Sequence, residues 1–149
     1  MKVFSGIEPF ERSGAHTLEL IPYRIRYALD HIGLKLSLSQ WQTLDITRRE
    51  NLLKLCHSTD NDWSQIKLFL MNLAQSHEWV LNSCATIDLN DGSQIPVELK
   101  NLLINRGLDS ISESQWARLN HYQRYILRKI SLGKRSLEIE DALKTYSLL

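Results

Sequence analysis

Apolar residues recur at helical spacing along most of the chain, and the first clear run lies in residues 21–44. Neighbours in this run are three or four residues apart, the spacing that places side chains on one face of an α-helix. The face consists of Ile25, Ala28, Leu29 and Ile32. Pro22 suits the start of this helix because proline has no N–H to leave unbonded, and Gly33 suits its end.

Three further helices follow in the first half, each introduced by residues whose side chains can cap a helix N-terminus. The candidate caps are Ser37 or Ser39, Asp45 or Thr47, and Thr59 or Asp60. The first of these helices contains Trp41, the second ends near Cys56, and the third, the longest, ends near Gln75. Its apolar stripe consists of Trp63, Ile66, Phe69, Leu70 and Leu73.

The second half of the chain repeats the order of the first. Aligning 21–36 with 95–110 and 37–55 with 112–130 leaves out Ile111 and makes 13 of 35 positions identical. The identical pairs include the Ile-Pro start, the glycine that ends the helix, and the Ser-x-Ser-Gln-Trp segment. A duplicated unit of three or four helices explains this pattern, although similar solutions to one helix-turn-helix problem remain an alternative.

These elements predict an all-α protein with a single domain made of two pseudo-repeated multi-helix halves. The predicted parts are an irregular N-terminal arm at 1–20, a first helical half at 21–76, a crossover at 77–94 and a second helical half at 95–149. The arm is expected to pack its aromatic residues onto the body. The crossover contains a turn sequence at Asn90-Asp91-Gly92 and leaves room for one short strand or hairpin. In the second half, Pro96 should start a helix, Asn120 should start another that ends at Gly133, and Ser136 should cap a last helix over 137–146.

Composition adds little that is specific. The 149 residues carry a net charge of +1, so the chain as a whole has no strong attraction for nucleic acid or membranes. No apolar run is long enough to span a membrane, and the first twenty residues lack the core of a signal peptide, so we expect a cytoplasmic protein. Cys56 and Cys84 are the only cysteines, and their spacing favours reduced thiols over a metal site or a disulfide.

The sequence contains no recognised catalytic motif. Phosphate-binding glycine loops, zinc-protease motifs and nucleophile elbows are all absent from it. The five histidines are widely spaced, and Asp60 and Asp62 fit helix capping better than metal binding. The sequence therefore predicts neither catalytic residues nor a bound metal or cofactor.

A basic segment at 118–135 is the clearest feature of the charge pattern. No acid occurs between Ser114 and Leu137. The candidate contact residues of this segment are Arg118, Arg124, Arg128, Lys129, Lys134 and Arg135. These residues could bind an acidic protein surface or phosphates. Alternatively, they form a solvent-exposed face whose charge is balanced by acidic residues elsewhere in the fold. A nucleic-acid-binding regulator that uses this segment is the alternative function.

The tryptophans and the repeated arginines have mainly structural interpretations. Trp41 and Trp116 occupy equivalent positions of the repeat, which indicates core packing rather than ligand stacking. Trp79 lies in the crossover and is the aromatic residue most expected in an exposed contact surface. Arg49 and Arg124 are also equivalent, so each could pin its half through carboxylates or helix-end carbonyls.

One combination of residues resembles a known family. The pattern starts at Phe10-Glu11 and continues through Ile21-Pro22, Arg26, Leu29-Asp30, Gly33, Lys35-Leu36, Leu38, Trp41, Arg49 and Leu52. It is similar to that of the small nitrate reductase-associated proteins, best known from cyanobacteria. Members are commonly encoded beside assimilatory nitrate reductase and functions of molybdopterin biosynthesis.

The resemblance implies a non-enzymatic accessory protein that supports nitrate reductase activity or maturation. The implied partners are nitrate reductase or the machinery that supplies its molybdenum cofactor, reached by protein–protein contact, and the resemblance implies no reaction of its own. Family members tend to carry cysteines where this chain has Leu20 and Ile32. Cysteine chemistry is therefore not part of what the resemblance implies for this chain.

Overall fold

A computed structural model describes residues 4–58, 62–84, 94–133 and 136–149. Within these ranges every regular element is helical, as the sequence predicted. The α-helices are α1 (Ser13–His16), α2 (Tyr23–Ile32), α3 (Leu38–Thr43), α4 (Ile46–Ser58), α5 (Trp63–His77), α6 (Val97–Asn105), α7 (Glu113–Ala117), α8 (His121–Leu132) and α9 (Ile139–Thr145). None of the helices in the described ranges combines the length and the hydrophobicity that a membrane crossing requires.

The chain divides into two compact units, Met1–Ile87 and Asp88–Leu149. The first unit is built around α2, which packs against α4 and α5, while α4 and α5 also pack against each other. Its core contains fully buried side chains such as Ile25, Trp41, Leu52 and Ile66. The predicted single domain of two repeated halves stays a prediction.

The ends of α2 and α3 follow from local chemistry. Pro22 occupies the position just before α2, with an extended backbone, rather than its first helical position. Gly33 ends α2 in the left-handed conformation with φ of 73°, which glycine adopts without a steric penalty. Ser37 then caps α3, because its hydroxyl accepts the Gln40 N–H at 3.0 Å and the Gln40 side chain accepts the Ser37 N–H at 2.9 Å.

The predicted N-terminal arm belongs to the first unit and packs against its core. Phe10 is buried, and Phe4 and Ile7 lie against the core. The arm contains one short helix, α1, which the sequence did not predict. A Cβ on Gly6 would come within 3.1 Å of the His57 ring, so the absence of a side chain permits this close approach.

The crossover is described only up to Cys84 and again from Gln94. Its described part contains no strand, but Ser83 forms an isolated antiparallel bridge with Leu34. Backbone bonds of 2.8 Å on either side, from Lys35 N–H to the Asn82 carbonyl and from Cys84 N–H to the Gly33 carbonyl, tie this segment to the end of α2. The predicted turn at 90–92 and the helix caps at Thr59 and Asp60 lie outside the described residues.

The second unit is built around α8, which packs against α6 and α9. Its buried side chains include Leu99, Trp116, Ile126, Ile130 and Leu143. Asn120 caps α8 as predicted, since its side chain accepts the Gln123 N–H at 2.8 Å.

The last helix of the second unit differs from the prediction. Residues 136–138 form a 3₁₀ turn, so α9 starts at Ile139 rather than at 137. Leu137 is 78% exposed, whereas Ile139 is fully buried. The turn therefore brings Ile139, rather than Leu137, into the core as the first apolar residue of α9.

Candidate functional site

The first unit contains a clamp formed by Trp41 and Arg49. The Arg49 guanidinium donates to the carbonyls of Trp41 at 3.2 Å and Gln42 at 2.9 Å, at the end of α3. It also lies 5.8 Å from the centre of the Trp41 ring, within the range of a cation–π contact. Arginine suits this position because its planar group donates in several directions at once.

The same clamp also fastens the arm. The Leu18 carbonyl accepts the Trp41 Nε1–H at 2.8 Å and the Arg49 Nη1–H at 3.1 Å. Leu18 is fully buried and has φ of 62°, a backbone conformation that costs a non-glycine residue about 1–2 kcal/mol. The two hydrogen bonds and the burial of the side chain offset this cost.

The second unit contains a matching clamp formed by Trp116 and Arg124. Arg124 donates to the carbonyls of Trp116 at 3.2 Å and Ala117 at 3.0 Å, and lies 6.0 Å from the Trp116 ring centre. Trp116 is 2% exposed. The interpretation of the repeated arginines as internal pins is therefore confirmed, with helix-end carbonyls as the acceptors.

The other predicted contact residues lie in different environments. Arg118, Arg128 and Lys129 are exposed, and the Lys129 ammonium lies 5.6 Å from the centre of the Tyr125 ring. Lys134 and Arg135 lie outside the described residues. Whether the basic segment binds a partner stays a prediction, but its Arg124 is already held by its own unit.

Trp79 is half-buried rather than open on all sides. It packs against the core of the first unit, and its ring stacks on His77 with 4.5 Å between ring centres. His77 in turn donates from Nδ1 to the Leu73 carbonyl at 2.9 Å, near the end of α5. Part of Trp79 remains accessible, so its predicted contact role is not excluded by this packing.

A second aromatic group lies where α2 and α5 meet. The His31 ring stacks on Trp63 at 4.5 Å, and both rings contact Tyr27 edge-on. The His31 Nδ1–H donates to the Tyr27 carbonyl at 2.8 Å. Burial raises the pKa of Tyr27, an effect that the nearby Arg24 partly opposes. These contacts assign His31 a structural role in the packing of α2 against α5.

The two thiols are both free. Burial raises the pKa of Cys56 to about 12, despite the opposing effect of Arg24. Cys56 is therefore protonated at neutral pH and is a poor nucleophile. Among the described residues, no group of three or more His, Cys, Asp and Glu side chains is arranged to hold a metal ion.

Glu11 is a buried carboxylate that the sequence patterns did not identify as a functional residue. It is 6% exposed and accepts the Tyr23 N–H at 2.8 Å and the Glu8 N–H at 2.6 Å. Because Pro22 makes no side-chain cap, Glu11 provides the acceptor at the start of α2. Burial raises the pKa of Glu11, and the two N–H donors oppose that rise. The one sequence signal for Glu11 is its position in the Phe10-Glu11 pair, which begins the pattern of residues that resembles the family.

The outer side of α5 was also not predicted as a site. Leu68 and Met71 are apolar but lie off the predicted buried stripe, and they are 60% and 54% exposed. With the exposed Ser64, Asn72 and Gln75 at matching helical spacing they form what we name the α5 face. Lys67, three residues after Ser64 and four before Met71, is exposed on the same side of the helix. The signal in the sequence is a set of polar residues beside two large apolar residues.

Comparison with known proteins gives one family. Residues 8–146 match the sequence profile of a family described as conserved nitrate reductase-associated protein. No curated protein and no solved structure matches the chain. The matched region includes both clamps, Glu11 and the α5 face.

Proposed function

Because the chain belongs to the conserved nitrate reductase-associated protein family, we propose that it is a non-enzymatic accessory protein of assimilatory nitrate reductase. It supports the activity or the maturation of the reductase by protein–protein contact in the cytoplasm. The family match over residues 8–146 is the observation that carries the proposal.

The chemistry of the described residues supports a contact role. The histidines His31 and His77 are used in aromatic stacking and in bonds to helix carbonyls, and the Cys56 thiol is protonated at neutral pH. Meanwhile, large apolar side chains such as Leu68 and Met71 remain on the surface. Exposed apolar side chains that lie together can be buried against a partner protein.

A deletion strain tests the proposal in the cell. Removing the gene should abolish growth on nitrate but not on ammonium, and the intact gene should restore it. A deletion strain with normal nitrate reductase activity would contradict the proposal. Normal reductase protein with low molybdenum content would assign the support to maturation.

A titration tests whether the support is stoichiometric. Adding the purified chain to reductase from the deletion strain, with or without an extract that supplies the molybdenum cofactor, should raise activity to a plateau at a fixed molar ratio. Full activation by a small fraction of one equivalent would indicate an enzyme instead. One basic residue of the nucleic-acid alternative, Arg124, already bonds to carbonyls within its own unit.

A further inference from the structure

Helix α8 and the turn before it carry a row of three arginines. Arg124 and Arg128 lie four residues apart, so they share one side of the helix. The Arg124 guanidinium donates to the carbonyl of Ala117 at 3.0 Å, so it lies beside the backbone of the next residue, Arg118. We name Arg118, Arg124 and Arg128 the arginine row. Arg118 and Arg128 are exposed, as is Lys129, which follows the row directly.

The acids of the second unit do not pair with the exposed arginines of the row. The elements that pack against α8 carry four acids, Glu98, Glu138, Glu140 and Asp141. Within the described part of the chain, Arg118 and Arg128 form no ion pair with these or with any other acid. Glu140 and Asp141 have a local explanation instead, because they lie in the first turn of α9, where a helix favours negative charge.

The aligned helix of the first unit, α4, balances its charges. It has two ion pairs, whose acids are Asp45 and Glu50. These two acids align with the uncharged Asn120 and Tyr125 in the second unit. The cap of the helix is retained, since the Asn120 side chain accepts the Gln123 N–H at 2.8 Å. The second unit therefore lacks the balancing acids although the helix and its cap are the same.

Arg128 is the basic residue that the fold explains least. It is exposed and aligns with Leu53, which is 1% exposed in the core of the first unit. Its charge lies four residues from that of Arg124, and like charges at this spacing destabilise a helix. Arg118, at the end of α7, and Lys129, in the last turn of α8, lie where a cation favours the helix dipole. Arg128 lies before that last turn, so an acid on a partner is the contact that would offset its cost.

We propose that Arg118 and Arg128 bind carboxylates on an acidic surface of the partner protein, with Lys129 beside them. This inference rests on the proposed function, which identifies that partner as the reductase or a protein of its cofactor supply. A guanidinium binds a carboxylate through two parallel hydrogen bonds, which favours arginine at such a contact. Complementary charges of this kind speed association and set the choice of partner.

The charge of the remaining second unit favours a protein over nucleic acid. Outside residues 114–137, this unit carries eight acids and three basic residues, and the net charge of the whole chain is +1. A nucleic-acid duplex presents phosphates continuously along its length, so it would also bring phosphates towards those acids. An acidic patch on a protein is local and can meet the arginine row alone.

Binding of the purified chain to purified nitrate reductase, measured by biolayer interferometry at low and at physiological salt, tests the inference. We expect Arg118→Glu and Arg128→Glu each to weaken binding at low salt by at least about fivefold, mainly through slower association. Affinity of the wild type should fall as salt rises, because salt screens exposed charges. The matched control is Lys67→Glu, which reverses an exposed charge on α5 and should change binding by less than about twofold.

Thermal unfolding separates binding from folding. Arg128→Glu places an opposite charge four residues from Arg124, so it should unfold at the wild-type temperature or above it. Arg128→Gln removes the charge without reversing it and should weaken binding less than Arg128→Glu does. Weaker binding at unchanged or higher stability is the result expected of a contact residue. A lower unfolding temperature in both variants would show that Arg128 serves the fold and would overturn the inference.

The outcomes also separate this inference from the proposed function. Wild-type binding that both arginine-to-glutamate variants leave unchanged would overturn the inference while the proposed function stands. A wild-type chain that binds neither the reductase nor the cofactor-supply proteins would overturn both. Tighter binding to a short DNA duplex than to the reductase would identify nucleic acid as the occupant and overturn the inference. A wild-type dimer that Arg128→Glu converts to a monomer would identify a second copy instead and also overturn it.

Discussion

The two tryptophan–arginine clamps make nearly the same local bonds, and in the first clamp the arginine also reaches the N-terminal arm. In each, the arginine donates from Nε to the carbonyl of its tryptophan at 3.2 Å and from Nη2 to the next carbonyl at 2.9 or 3.0 Å. The first clamp also holds the arm through the Leu18 carbonyl. That acceptor lies before residue 21, where the sequence repeat begins.

The difference shows which part of the clamp is encoded locally. Ser37, Trp41 and Arg49 lie within 13 residues of each other, and the spacing is the same in the second unit. Helix geometry and the capping box therefore produce the same contacts twice. The contact with Leu18 depends on a distant segment, and through it the first clamp couples the arm to the core.

The largest expected effect comes from removing either clamp tryptophan. Trp41→Ala and Trp116→Ala should each destabilise the unit that contains them by about 3–5 kcal/mol, because a large, fully buried side chain is lost. Urea unfolding followed by circular dichroism measures this. A cost below about 1 kcal/mol at one position would mean that the two clamps are not equivalent core anchors.

Replacing the two arginines should distinguish the contributions of the two clamps to stability. Arg49→Met loses bonds to three carbonyls and should cost about 2 kcal/mol, whereas Arg124→Met loses two such bonds and should cost about 1 kcal/mol. Hydrogen exchange should show faster exchange of arm amides such as Leu20 N–H, which is bonded to Gly14, only in Arg49→Met.

A control for the arginine experiment is Arg49→Lys. It retains the charge but cannot donate to three carbonyls with one planar group. Arm exchange as slow as in the wild type would show that charge, rather than the geometry of the guanidinium, holds the arm.

Glu11 should make the docking of the arm depend on pH. In the unfolded chain its carboxyl titrates near its ordinary value of 4.5, and burial raises its pKa in the folded state. The folded state therefore holds the proton more tightly, and the contribution of Glu11 to stability, complete below pH 4.5, is lost as pH rises through the folded pKa.

The variant Glu11→Gln tests this direction. The stability of the wild type relative to the variant should be greatest at low pH and should decline as pH rises above 4.5, as measured by urea unfolding between about pH 4 and 7. The opposite slope would show that the N–H donors of Tyr23 and Glu8 outweigh the burial of the charge.

The helix caps of α3 and α7 should have effects no larger than that of Arg124→Met. Ser37→Ala and Ser112→Ala each remove one hydroxyl from a complete capping box and should cost about 1 kcal/mol. The two costs should agree within about 0.5 kcal/mol because both caps have the same backbone angles. A larger difference would show that the units respond differently to equal local changes.

Much of the helical fold was predictable because its signals are local. Gly33, Ser37 and Asn120 end or start helices where the sequence indicated, since capping depends on residues only three or four apart. The exposure of Leu137 was harder to predict. The apolar residues at 137 and 139 fit the start of an α-helix, and the sequence does not show that a 3₁₀ turn comes first.

The contacts of the arm could not be predicted from local patterns. Glu11 reaches Tyr23 across 12 residues and Arg49 reaches Leu18 across 31, and neither distance leaves a periodic signal. Leu68 and Met71 show the same limit for the candidate site. Their helical spacing placed them off the predicted buried stripe, but their residue types suggest burial, and their exposure follows from the packing of α2, α4 and α5.

The left-handed backbone at Leu18 has a consequence for the design of shortened chains. Its carbonyl is the acceptor for both Trp41 Nε1 and Arg49 Nη1. A truncated protein that starts at residue 20 would keep every helix from α2 onward yet leave two donors in the core without their acceptor, at about 1–3 kcal/mol each. The smallest autonomous first unit therefore begins upstream of the repeat, and affinity tags are best joined ahead of the arm rather than in place of it.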